Sequence, residues 1–132
     1  MALSIIMTMF SSSMAMADPY GNCIAAKLNP SLGVIAQMTG DKLDLSHTRQ
    51  VSQLFLGENE ALKSARPELL RLGYAITEQS GGRLLAVQSF SVSKAWVGKV
   101  IPQMCKIATD ASIEYDGWDI DVAADHITSD KK

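Results

Sequence analysis

The 132-residue sequence contains few of the residues on which several protein classes depend. Two cysteines and two histidines are too few for a four-ligand zinc site at a familiar spacing, and for a disulfide-dense mini-protein. Twelve basic against fourteen acidic residues leave a net charge of −2 and no basic stripe for nucleic-acid phosphates. We therefore expect no direct nucleic-acid contact, no metal site and no cofactor. The 47% hydrophobic and 20% charged residues are typical of one globular domain.

The first seventeen residues, MALSIIMTMFSSSMAMA, contain no charged side chain. Their apolar run, Ala2 to Phe10, is shorter than the about 20 residues of a membrane-spanning helix. A polar break and the small residues Ala15 and Ala17 follow, which is the pattern of a signal peptide with its cleavage site. We predict a signal peptide over 1–17, export to the periplasm or the medium, and no membrane contact after cleavage. No Lys or Arg precedes the run, so the alternative is a mis-assigned start codon and a cytoplasmic protein.

The two cysteines, Cys23 and Cys105, allow two interpretations. They could form a disulfide in an oxidising compartment and would remain separate thiols in a reducing one. Cys105 falls inside a predicted helix, where a buried free thiol is an ordinary core residue. The sequence leaves the pairing open, as it does the oligomeric state.

Helical and strand patterns alternate along the rest of the chain, between a linker at 18–28 and a flexible tail at 123–132. Gly73 is predicted to end the second helix. The predicted elements are a helix over Asn29–Gly40, a strand over Arg49–Leu56, a helix over Glu58–Leu72, strands over Tyr74–Gln79 and Arg83–Phe90, a helix from Ser91 or Ser93 to Thr109, and a strand over Ile113–Val122. From Arg49 onward this order is typical of the split βαβ, ferredoxin-like fold. We predict an α+β domain over 29–122, with two helices on one face of a four-stranded antiparallel sheet and an extra N-terminal helix.

The first predicted strand has apolar residues on both of its faces. Val51 and Phe55 alternate with Leu54 and Leu56. Strands with this pattern are usually covered on both sides. The sequence therefore predicts an inner strand with a cover over each face.

The last predicted strand changes its alternation at Gly117. Before this glycine Tyr115 occupies an apolar position, and after it Trp118 continues the apolar set one residue out of phase. A regular strand cannot keep both on one face, because its side chains alternate with a period of two. A β-bulge at Asp116-Gly117, with the glycine in a left-handed conformation, would restore the register.

With that bulge, four carboxylates of the last strand face away from the core: Glu114, Asp116, Asp119 and Asp121. They could bind a hard cation, although the strand has no loop that wraps calcium. They could be a catalytic pair, or an acidic surface that meets a basic partner. The remaining interpretation is a solvated strand that discourages edge aggregation.

The segment Glu114-Tyr115-Asp116-Gly117-Trp118 resembles the terminal motif of the ribonuclease E inhibitor RraB family. Two weaker pieces fit in order, Asp44-Leu45-Ser46-x-x-Arg49 and Leu72-Gly73-Tyr74-Ala75-Ile76, so that the resemblance covers about residues 29 to 122. The resemblance implies a ferredoxin-like fold. It also implies a non-catalytic protein that binds ribonuclease E and changes RNA turnover.

The resulting functional prediction is a protein-binding domain without catalytic residues, with ribonuclease E as partner if the chain is cytoplasmic. The alternative is an exported binding or immunity-type module that caps a basic protein. A small enzyme is a further alternative, but neither histidine lies at a recognisable nucleophile motif. The predicted contacts are the aromatic anchors Tyr115 and Trp118 together with the four acids Glu114, Asp116, Asp119 and Asp121. Gly73 and Gly117 are predicted to have structural roles.

Overall fold

The computed structural model describes residues 18–121. The predicted signal peptide at 1–17 and the predicted tail at 123–132 lie outside the described residues. Within 18–121, three helices alternate with four strands. In chain order these are α1 (Pro19–Gly40), β1 (Arg49–Leu56), α2 (Asn59–Arg71), β2 (Ala75–Ser80), β3 (Arg83–Phe90), α3 (Lys94–Ala111) and β4 (Glu114–Ile120).

The four described strands form one sheet in the order β2-β3-β1-β4, and each neighbouring pair is antiparallel. The prediction of an α+β chain with a four-stranded antiparallel sheet is confirmed. The hairpin between β2 and β3 turns at Gly81 and Gly82, whose φ angles of 60° and 79° suit a two-residue primed turn. β1 and β3 occupy the centre, so β1 is an inner strand, as its apolar pattern predicts.

The core lies between the sheet and the helices. Alternate residues of β1 and β3 are fully buried there, among them Val51, Phe55 and Leu84. Leu69 of α2 and Ile101 of α3 meet them at 0% exposure. Burying these aliphatic and aromatic side chains stabilises the fold by roughly 1.5–3 kcal/mol each.

Helix α2 ends at Arg71 with Leu72 as its C-cap, and Gly73 directly after it is the predicted stop. Its φ of +97° lies in the region that favours glycine. The amide of Gly73 donates to the oxygen of Leu70, and that of Tyr74 to the oxygen of Leu69, which is the Schellman pattern. A Cβ at Gly73 would lie 2.7 Å from Nε2 of Gln88, so both conformation and space require glycine here.

Helix α1 begins ten residues before its predicted start, so the prediction of Asn29 as its first residue is wrong. Residues 18–28, predicted as a linker, form the cap and first half of this helix. Asp18 is the N-cap: its Oδ1 accepts a hydrogen bond from the amide of Gly21 at 2.9 Å, and Pro19 takes the first helical position. Asn29-Pro30 presents the same cap–proline pattern, but Pro30 lies inside the helix.

The predicted bulge in the last strand is confirmed. Leu54 pairs with Gly117 and Phe55 pairs with Tyr115, which leaves Asp116 as the extra residue on β4. Gly117 has a φ of +126°. The extra residue restores the register, and β4 ends at Ile120, short of the predicted Val122.

Candidate functional site on the open face of the sheet

The two faces of the sheet differ in burial. Val51, Gln53 and Phe55 of β1 are fully buried under the helices, whereas Leu54 and its neighbours on the opposite face are only half-buried. No described helix covers that opposite face. We call it the open face, and its apolar and acidic members are Leu54, Leu56, Leu85, Val87, Glu114, Asp116, Asp119 and Asp121.

All four predicted acids are exposed: Glu114, Asp116 and Asp119 lie on β4, an edge strand of the sheet, and Asp121 directly follows it. Glu114 is paired with Leu56 of β1, and Asp119 is paired with Ser52. Oδ1 of Asp119 accepts a hydrogen bond from the amide of Ile120 at 2.9 Å. The amide of Asp121 donates to the oxygen of Gln50, which extends the row by one residue beyond the strand. The carboxylates thus follow one strand from end to end.

An apolar strip lies beside this row, on the two central strands. Leu54 of β1 is the direct cross-strand partner of Leu85 of β3. Leu56 and Val87 extend the strip, and each of the four side chains is half-buried. The sequence predicts a cover on both faces of β1, and the described residues provide only one. Among residues 18–121 the open face is therefore a half-buried apolar surface without a second layer on it.

A depression of about 400 Å³ interrupts the surface where the strip meets the acids. It exists because Gly117, the partner of Leu54 on β4, has no side chain, and a Cβ there would meet nothing within 4 Å. Leu54 and Leu85 line it on the apolar side, Asp116 and Asp119 line it on the acidic side, and Arg83 borders it as the one cation among the described residues of its lining. The bulge thus opens a gap between the leucines and the carboxylates.

The charge of the open face is strongly negative. Besides the four acids of β4, the sheet places Glu78 of β2 there, within 4.0 Å of Arg83 of β3. Among residues 18–121, the five carboxylates and one guanidinium of the sheet side of this face carry a net charge of −4, to which Lys27 of α1 adds one positive charge at the edge, whereas the whole chain carries −2. Lys27 of α1 reaches the outer edge, where its Nζ donates to the backbone oxygen of Asp116 at 3.2 Å.

Tyr115 is not at the surface, so the structure argues against its predicted contact role. The side chain is 2% exposed and its ring lies 5.3 Å from that of Phe55. Its hydroxyl donates to Oε1 of Gln53 at 2.5 Å. Tyr115 belongs to the first apolar set of β4, which faces the helices. Burial raises the pKa of its hydroxyl well above the ordinary range.

Trp118 is half-buried and lies between β4 and the helices. Its Nε1 donates to Oγ of Ser31 on α1 at 2.8 Å, and its ring meets Trp96 edge-on at 5.0 Å. Phe90 and Tyr74 continue this aromatic row, with ring centroids 5.5 Å and 5.9 Å apart in succession. Trp118 therefore connects α1 to the sheet through its hydrogen bond to Ser31. Only part of the Trp118 side chain is left exposed for a partner.

The predicted site residues do not include Gln53, whose buried side chain lies beside Tyr115. Gln53 is 0% exposed and accepts the hydrogen bond of Tyr115. The hydroxyl of Tyr74 is also buried and makes no hydrogen bond within residues 18–121; burial raises its pKa to about 12, and the nearby Gln53 amide opposes that shift. The signal was present in the sequence, because Gln53 lies between Val51 and Phe55 on the predicted inner face.

Cys23 and Cys105 form a disulfide, which settles the pairing that the sequence leaves open. Their Cα atoms are 5.7 Å apart, and the bond joins α1 to the fully buried face of α3. A disulfide is compatible with an exported protein. Its role in the site is indirect, since it anchors the helix that holds Trp118.

Within residues 18–121, no group of three or more His, Cys, Asp or Glu side chains is placed to hold a metal ion. None of the helices found there is both long enough and apolar enough to cross a membrane.

No model of a known protein family matches the sequence, and no curated protein matches it.

Proposed function

We propose that this chain is a non-catalytic protein-binding module whose open face meets a basic partner protein. The observation that carries the proposal is the exposed row of Glu114, Asp116, Asp119 and Asp121 beside half-buried leucines. Exposed charges of one sign attract an oppositely charged partner and raise its association rate, and a neighbouring apolar surface supplies contact area.

The resemblance to the RraB family supports a ferredoxin-like version of this fold. The strand order β2-β3-β1-β4, with helices between β1 and β2 and between β3 and β4, is the arrangement expected of a split βαβ domain. On this proposal α1 is the extra N-terminal helix.

The same resemblance favours ribonuclease E as one candidate partner. The motif residues also have structural tasks: Tyr115 fills the core, Gly117 forms the bulge and Trp118 holds α1. They would be needed in any protein with this packing, whatever it binds. The motif therefore supports a shared architecture more strongly than a shared partner.

Export favours the second candidate, a secreted or periplasmic module of the immunity type that caps a basic protein. The apolar first seventeen residues and the disulfide both suit that location. Cell fractionation with N-terminal sequencing separates the candidates. A mature chain that starts at Asp18 in an extracytoplasmic fraction excludes ribonuclease E, and a full-length cytoplasmic chain excludes export.

Binding kinetics test the proposal itself. A partner is captured from the producing organism and its association with the purified chain is followed by surface plasmon resonance at several salt concentrations. We expect association to slow as salt rises, since exposed charges are screened beyond about 10 Å at 0.1 M. Asp119→Asn with Asp121→Asn should lower the association rate several-fold and leave dissociation nearly unchanged.

Two variants complete the experiment. Glu60→Gln removes an exposed acid of α2 away from the open face and should leave the kinetics unchanged. Trp118→Ala should speed dissociation if the exposed part of its ring touches the partner. An association rate that changes neither with salt nor with the double Asn substitution would overturn the proposal. The acids would then be only a solvated strand edge.

A further inference from the structure

Within residues 18–121 no element covers the apolar strip of the open face, and acids border it; this combination restricts what can bind there. We infer that it is the docking surface for an amphipathic basic helix of a partner protein, which would form a second helical layer on the sheet. This inference rests on the proposed function and specifies the kind of element that binds.

The width of the apolar strip fits one helix. Leu54 and Leu56 lie on β1 and Leu85 and Val87 on β3, the two central strands of the sheet. Adjacent strands are about 4.8 Å apart, and an α-helix with its side chains is about 10 Å wide. A helix along the strip would therefore cover both central strands and leave the outer ones at its flanks.

The acids lie where one flank of such a helix would pass. β4 is the next strand out from β1, and its carboxylates begin beside Leu56 at Glu114 and continue past Ser52 at Asp119. Lysine and arginine side chains have apolar stems that cross this distance along the surface of the strip. The depression over Gly117 gives one such stem a place beside Leu54, with its charged end between Asp116 and Asp119.

Charge argues against a second copy of the chain as the cover. Two open faces in contact would oppose a net charge of −4 with another of −4, and like charges in an interface are unfavourable. A basic element instead neutralises the acids and covers the leucines at the same time.

The test uses three synthetic peptides of about 15 residues, roughly 22 Å when helical. The first has a leucine stripe flanked by lysine and arginine, the second has the same residues shuffled so that the stripe is lost, and the third keeps the stripe with glutamate as its charged residue. Each is titrated into the full chain labelled for methyl NMR. We expect only the first to give saturable shifts at Leu54, Leu85 and Val87, without shifts at Leu62 of the core.

Two variants locate the binding surface. Leu54→Thr with Leu85→Thr introduces β-branched, strand-forming residues but removes the apolar strip, and should weaken binding of the first peptide on the order of tenfold. Leu70→Thr is the matched control: Leu70 is 53% exposed on α2, away from the open face, and its replacement should not affect binding.

Three results would overturn the inference. These are equal binding of the striped and shuffled peptides, no binding of the striped one, and full binding to the Leu54→Thr/Leu85→Thr variant. Sedimentation that shows a dimer dispersed by the same double variant would assign the face to a second copy. The proposed function is judged separately by the salt dependence and the Asp119/Asp121 variants with the captured partner, so it can survive these failures.

Discussion

Two glycines of the chain, Gly117 and Gly98, have different structural roles. Gly117 and Gly98 are both glycines with no atom near the position of a Cβ, yet only Gly117 has a positive φ, at +126°. Gly98 lies inside α3, where a side chain is favourable. The cost of a substitution at Gly117 therefore comes from the backbone and not from crowding.

Gly117→Val should destabilise the protein by more than about 1 kcal/mol, because a β-branched residue adopts a positive φ only with strain. Urea unfolding measures the effect. Gly98→Ala is the control and should be neutral or stabilising by about 0.5–1 kcal/mol. A Gly117→Val variant as stable as the parent would mean that the bulge does not depend on glycine.

The buried tyrosines should make the fold sensitive to strong alkali. A raised folded-state pKa means that the native state retains a proton that the unfolded state loses, so stability falls as pH rises. For Tyr74 the loss begins above the unfolded value of about 10 and continues up to the folded value of about 12. Tyr115 acts in the same direction.

Denaturant unfolding across this alkaline range, followed together with tyrosinate absorbance, checks this expectation. Tyr74→Phe should reduce the slope of stability against pH above about 10, because the phenylalanine has no proton to lose. An unchanged slope would show that the hydroxyl of Tyr74 does not contribute to the loss of stability at high pH.

At the scale of elements, α1 is held unevenly along its length. Its buried residues, Ser31, Ile35 and Met38, all lie in the second half. In the first half, Cys23, Ile24 and Leu28 are only partly buried, and the disulfide to Cys105 is the covalent anchor. The first half of α1 should therefore depend on the disulfide much more than the sheet does.

Cys23→Ser with Cys105→Ala should destabilise the protein by about 4 to 5 kcal/mol on the chain-entropy model, since the bond spans 82 residues. Hydrogen exchange should accelerate first over residues 19–28. β1 should retain its relative protection, because it is paired on both sides. Unchanged protection over 19–28 would show that packing alone holds the first half of α1.

The elements that the sequence predicts well are those with a clear period and a clear stop. The stripe of α2 ends at Gly73, and the phase change in β4 marks the bulge at Gly117. The sequence does not locate the start of α1, because Asp18-Pro19 and Asn29-Pro30 offer the same cap signal. The disulfide in the first half of the helix is not visible in that pattern.

The candidate site was predictable in part. Alternation places the four acids on one face of β4, but it cannot show whether a half-apolar face is covered. The sequence predicts partner contacts for both Tyr115 and Trp118. It cannot distinguish an aromatic anchor beside acids from an aromatic residue of the core. Tyr115 is buried against Phe55 and bonds to Gln53, which lies 62 residues away in sequence, so neighbouring residues do not reveal its burial.

At the scale of the molecule, the single core between sheet and helices should make unfolding cooperative. Leu69 is 0% exposed in the middle of the α2 stripe. Leu69→Ala should cost about 2–5 kcal/mol, because neighbouring side chains only partly fill the cavity. The adjacent Leu70 is 53% exposed, so Leu70→Ala is a matched control with a cost within about 0.5 kcal/mol.

Thermal or urea unfolding followed by two probes, fluorescence and circular dichroism, checks both values. Coincident transitions are expected for one cooperative unit. Equal costs for the two leucines would mean that α2 turns a different face to the sheet.

The disulfide also determines how the molecule would respond to mechanical force. Because Cys23 and Cys105 are covalently joined, the 82-residue span between them cannot lengthen when the chain is pulled from its two ends. That span would be on the order of 280 Å long if extended. Three strands and all of α2 would remain unstretched; β4 would be peeled from the edge of β1, and only the ends of α1 and α3 outside the closed loop would unravel with it. Under reducing conditions the same force would extend the whole chain, including this span. An optical trap would therefore distinguish the oxidised from the reduced disulfide by the length gained on unfolding.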